Sequence, residues 1–258
     1  MIDCETVLGE LTGEDGDPRV ASKHVRCRPG DDAAGTVLLV GVVHDHPASV
    51  YRVEHVLERT EPATLAVELP PLSVPLFRLY ARDGLSPPRL GGEMSMAILA
   101  AGDARVVGID APNASSLGVM ARRLLTGGTE PSVARRVLRD VFAGSVRAVA
   151  CRLAALVGAV TPVRPRLYTH ISYETSLLDE PAAQAAHEAA HLDRHEAFVG
   201  AVETPPVTRF IDGTREAAMA DRIGTLRRDG DVVAVVGFGH LDPLAERIAD
   251  RSEGRDKR

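Results

Sequence analysis

Four short apolar runs constrain the fold more than anything else in the chain: TVLLVGVV (36–43), TLAVEL (64–69), RVVGID (105–110) and DVVAVVGFG (231–239). A strand with one wet face alternates apolar and polar residues. A strand buried on both faces reads as a continuous β-branched run, as these do. Between them lie segments of helical spacing: ASVYRVEHVLERT, with Val50, Val53 and Leu57, then LSVPLFRLYARDG and GGEMSMAILAAGD. Strands alternating with helices predict an α/β fold, a mainly parallel sheet flanked by helices.

The remaining segments are read around this frame. Residues 1–35 form a polar, Gly- and Asp-rich lead in which KHVRCR suggests one more strand. The α/β domain is expected over 36–251, with an α-helical insertion subdomain at about 113–228, before the last strand. Loops are expected at TGGTEPS, VTPVRPR and ETPPV. Within the insertion, PSVARRVLRDVFAGSVRAVACRLAALVG places Val133, Val137, Val141, Leu153 and Leu156 at helical positions. A long helix packed on the Ala-rich helix that follows is expected, acting as a lid or as a self-association face. The sequence does not choose between them, so a homo-oligomer stays open. The charged tail at 252–258 is expected to fray.

Composition excludes several roles. A net charge of -6 argues against a nucleic-acid partner, which a basic patch would betray. Cys4, Cys27 and Cys151 lie far apart without a CxxC pair, so neither a disulfide framework nor a zinc ribbon is expected. The acidic start lacks an apolar signal region. The most apolar stretch, VFAGSVRAVACRLAALVGAV, carries Arg147 and Arg152 in its middle, which argues against a membrane span. A cytoplasmic location is the expectation.

The strand ends carry the chemistry. The first run ends Gly-x-x-His, with Gly41 and His44; the last repeats this GxxH pattern with Gly237 and His240. The other two end in acids, Glu68 and Asp110. Ligands of parallel sheets bind outside the carboxyl ends of the strands, where these four groups would gather. Two imidazoles with one or two carboxylates can hold a divalent ion with an open water position. Without a metal, His44 can act as general base, oriented by Glu68 or by Glu93. Arg215 can stabilise an oxyanion or form an ion pair with an acid at the strand ends.

A rival site is spelled HEAAH (187–191). On a helix His187 and His191 share a face, and Glu188 could activate a zinc-bound water. The segment EPAAQAAHEAAHLDRHEAFVG continues as a helix, however, without the glycine turn that delivers a third ligand. It reads as a solvated helical face, and a zincin-type peptidase centred there is the third reading.

The ordered set GVVH (41–44), VEL (67–69), GGE (91–93), GID (108–110), TREAAM (214–219) and GFGHL (237–241) resembles the TraB family, the TraB/PrgY/GumN group related to the animal TIKI proteins. The match runs across residues 36–248. It departs from the family where VELPPLS lacks an arginine and where Glu216 follows Arg215 in place of Asp. The resemblance implies an α/β fold shared with erythromycin-esterase-like and ChaN-like proteins. It implies a hydrolase of peptide or ester bonds whose site is drawn from His44, Glu68, Glu93, Arg215 and His240. Metalloprotease-like relatives imply a divalent ion (Mn, Co or Zn) on His44, His240, Glu68 and Asp110, and esterase-like relatives imply histidine chemistry without one. The alternative is a non-catalytic protein that captures a peptide or small-molecule ligand, as in pheromone shutdown.

Overall fold

The computed structural model describes residues 2–13, 16–31, 33–113, 117–118, 120–122, 124, 131–201 and 205–253. The fold is α/β. Strands β1 (Val25–Arg28), β2 (Val37–Val42), β3 (Thr64–Val67), β4 (Arg105–Gly108) and β5 (Val232–Gly237) form one sheet in the order β1-β2-β5-β3-β4. β1 runs antiparallel to β2, and the other neighbours are parallel.

Both faces of the sheet are covered, which explains the continuous apolar runs. Leu38, Val40, Leu65, Val67, Val233 and Val235 point to one side. They meet helices α2 (Pro47–Thr60), α3 (Val74–Ala81) and α4 (Gly92–Ala100) through residues such as Val53, Leu57, Leu76 and Ile98. The alternate residues Val37, Leu39, Ala66, Val232, Ala234 and Val236 point to the other. Met219 and Ile223 of α7 (Pro206–Leu226) and Leu241 and Leu244 of α8 (Phe238–Glu253) cover them there.

The lead is part of the body. Helix α1 (Cys4–Thr12) and β1, with the turn at Pro18–Val20 between them, bring Val7, Leu11, Val20 and Val25 into the core. A Cys4–Cys27 disulfide ties them together, with Cα atoms 5.6 Å apart. This corrects the reading of the cysteines: 23 residues of sequence separate the pair, but the edge strand folds back beside the helix.

The insertion spreads its long helices over different partners. Its long helix, α5 (Pro131–Val160), packs mainly on α3 and α7. The Ala-rich helix, α6 (Pro181–Ala201), lies instead on α2 and the turn at Pro18–Val20. Periodicity identified these helices but carried no information on their neighbours. The expected loop at TGGTEPS falls largely, that at ETPPV partly, and the tail from residue 254 onward wholly, outside the described residues.

Candidate active site

Strand register assembles the site. β5 lies between β2 and β3, with Val42 opposite Gly237 and Val67 opposite Val235. His44 therefore leaves β2, Glu68 leaves β3 and His240 leaves the first turn of α8 at one edge of the sheet. They converge over Gly237. A Cβ there would meet Glu68 Oε2 at 3.3 Å, His44 Nε2 at 3.7 Å and His240 Cδ2 at 3.9 Å. Glycine keeps that space open.

His44 is fixed from behind. Its Nδ1 lies 2.6 Å from Glu93 Oε1, and Glu93 Oε2 accepts the Asp45 N–H at 2.8 Å. Glu93 is fully buried in the first turn of α4, where the helix dipole favours a carboxylate. The hydrogen bond to Glu93, working against burial, holds the His44 imidazole up at about 9. Tyr173 donates to the His44 carbonyl at 2.8 Å, and the Ile171 N–H donates to Asp45 Oδ2 at 2.8 Å. The segment after VTPVRPR thus straps the turn that carries His44. Sequence reasoning missed it, because loop residues have no periodicity to betray what they cover.

The second half of the site is an ion-pair network. Arg215, in the middle of α7, donates to Asp110 Oδ1 and Oδ2 at 2.8 and 3.0 Å and to Glu68 Oε1 at 2.7 Å. Glu68 Oε2 accepts the Gly237 N–H at 2.6 Å. Of the two roles open to Arg215, the geometry takes the ion pair. His240 Nδ1 lies 3.2 Å from Glu216, and its Nε2 lies 3.5 Å from Glu68 Oε1. Burial pushes the His240 imidazole down, but the Glu216 hydrogen bond and the Glu68 charge outweigh it and leave it raised. Arg215 Nη1, 3.4 Å from Nε2, favours the neutral ring instead.

This donor set does not fit the divalent ion that the metalloprotease-like resemblance implies. Both oxygens of Asp110 and Oε1 of Glu68 are engaged by Arg215. A guanidinium already balances the two strand-end carboxylates that were expected as ligands. Among the described residues no group of three or more His, Cys, Asp or Glu side chains is arranged to hold a metal ion.

HEAAH is a support for the site rather than a second one. Glu188 faces inward and is buried, pairing with Arg52 Nη2 and accepting from Ser49 Oγ at 2.6 Å. Ser49 Oγ accepts the Val43 N–H at 2.8 Å, and Arg52 Nη1 donates to the Gly41 carbonyl at 3.0 Å. His187 Nδ1 lies 3.0 Å from His46 Nε2. The network therefore grips the Gly41–His46 turn, and Tyr173 packs edge-on against its His187 and His191 rings. Reading this segment as a solvated face is wrong for Glu188: its partner Arg52 sits among the apolar positions of α2 and is fully buried. No sequence spacing links residues so far apart.

A cavity of about 390 Å³ lies beside Asp110, walled by Leu76, Phe77, Leu167 and Tyr168 and by Arg147 and Cys151 of α5. It offers apolar surface next to the convergent polar groups. Comparisons of the chain with family models, with curated proteins and with solved structures find no match.

Proposed function

We propose that the chain is a TraB-like hydrolase of ester or peptide bonds in which His44 moves the proton. The observation that carries this reading is the buried Glu93 carboxylate, which fixes His44 Nδ1 and leaves Nε2 facing the open space over Gly237. In the neutral ring, Nδ1–H donates to Glu93 and Nε2 holds a lone pair. Water over Gly237 gives its proton to Nε2 while its oxygen bonds to the substrate carbonyl carbon. The proton then passes to the leaving oxygen or nitrogen as the scissile bond breaks. Glu93 stabilises the imidazolium in between, the role of the acid in a Ser-His-Asp triad. Arg215 is a positioning residue that holds Glu68 and Asp110. The neighbouring cavity suits an apolar portion of the substrate.

A second reading rests on the same imidazole. Held at about 9, His44 is protonated at neutral pH and could capture a carboxylate without turning the ligand over. Hydrolysis of p-nitrophenyl esters of graded acyl length and of a peptide library, from pH 7 to pH 10, separates the two. Turnover that falls about 100-fold or more in kcat/KM on His44→Gln supports the hydrolase. No turnover at any pH, with carboxylate-peptide binding that disappears above about pH 9, supports capture.

A further inference from the structure

Helix α5 is built inside out for a monomer. Beyond Val137 its inward face is small: Ala148, Cys151, Ala154, Ala155 and Gly158 are buried. A Cβ at Gly158 would meet Leu79 Cδ2 at 2.3 Å, so α3 lies close against it. The large residues point outward. Phe142, Val146, Val149, Leu153, Leu156 and Val160 are between 47% and 84% exposed. A monomer's surface helix does the reverse, burying its large apolar stripe. The outward residues are spaced alternately by four and three positions, the 3.5-residue repeat of a coiled-coil seam.

We propose that this seam is a dimer interface, pairing with the same seam of a second copy of the chain. The seam runs roughly 27 Å along the helix. With Leu138 and Val157 at its border it exposes roughly 800 Å² of side chain, what one partner contributes to a stable interface. Its flanks are mostly small, with Ala143 and Ala150 on one side and Ser145 and Ala159 on the other, and Val157 and Arg152 the larger residues among them. By length and composition α5 could also cross a membrane. Crossing would strip Cys151 and Gly158 from the body they pack against. The inner face of α5 walls the cavity beside Asp110, so pairing would brace that wall; the proposal does not depend on the chemistry at the strand ends.

Sedimentation velocity of the full chain at micromolar concentration tests it. The wild type is expected to run as a dimer. Leu153→Glu and Leu153→Lys are each expected to run as monomers with unchanged far-UV circular dichroism, and an equimolar mixture of the two should regain the dimer mass. Phe142→Ser, a milder change at an exposed position, should raise the dimer dissociation constant at least about tenfold. A monomeric wild type overturns the proposal. So does a dimer that persists in all three variants, or a monomeric wild type that floats with phosphatidylcholine vesicles.

Discussion

At the scale of single residues, the site depends on groups whose surroundings give them one task. Gly237 is the plainest case. Its missing side chain is the space in which His44, Glu68 and His240 meet, and none of the contacts a Cβ would make there is a severe clash. Gly237→Ala is therefore expected to fold, with stability within about 1 kcal/mol of wild type. It should still lower kcat/KM at least about tenfold, because a methyl group occupies the place of the attacking water. An alanine variant that hydrolyses at the wild-type rate would put the chemistry elsewhere. Glu188 makes the opposite case. Burial raises its carboxyl, yet the Arg52 charge and the hydrogen bonds outweigh this and leave it lowered. The ion pair thus stabilises the fold above the ordinary carboxylate range, and that contribution is lost as pH falls through the lowered value. Glu188→Gln leaves Arg52 buried without its partner, which should cost about 3 kcal/mol in a urea titration. A change below about 0.5 kcal/mol would restore the view of this segment as a solvated face.

At the scale of elements, the strands were legible and the helix partners were not. A strand buried on both faces has no choice about its composition, so β2, β3 and β5 announced themselves as continuous apolar runs, and the partly buried edge strand β4 as a shorter one. Their carboxyl ends could be named residue by residue, and His44, Glu68, Asp110 and His240 lie at that edge in the structure. A helix discloses its apolar stripe but not what covers it. For that reason α5 and α6 were expected to pack together, whereas α5 lies on α3 and α7 and α6 lies on α2. The lead misled for a related reason: its few apolar residues, Val7, Leu11, Val20 and Val25, are diluted among polar ones. Disulfide pairing depends on the edge pairing of β1 with β2, which cysteine spacing does not encode. Cys4→Ala, compared with the oxidised wild type, is expected to lower stability by about 2–4 kcal/mol because the open chain gains loop entropy. An unchanged urea midpoint would mean that α1 adds little to the folded body.

At the scale of the whole molecule, the site exists because β5 sits between β2 and β3. Two histidine-bearing strand ends far apart in sequence become neighbours there, and helices from both faces supply what the strands lack. Glu93 comes from α4 on one side and Arg215 from α7 on the other. Those two were candidates in the sequence, but their geometry was not, since it depends on how each helix is placed over the strand ends. The central claim is that Glu93 sets the proton affinity of His44 and that His44 acts as the base. Neutral His44 is the active form, so activity should rise with pH and level off as pH passes through about 9. Removing the carboxylate removes the main cause of the raised value. The most direct measurement is the pH dependence of kcat/KM for the wild type and for Glu93→Gln, with folding checked by circular dichroism. The account predicts an ascending limb centred near pH 9 in the wild type that moves toward the ordinary histidine value of about 6.5 in the variant, on a lower plateau. A limb that stays in place when Glu93 is replaced, or a wild-type rate that does not change between pH 6 and pH 10, would contradict it.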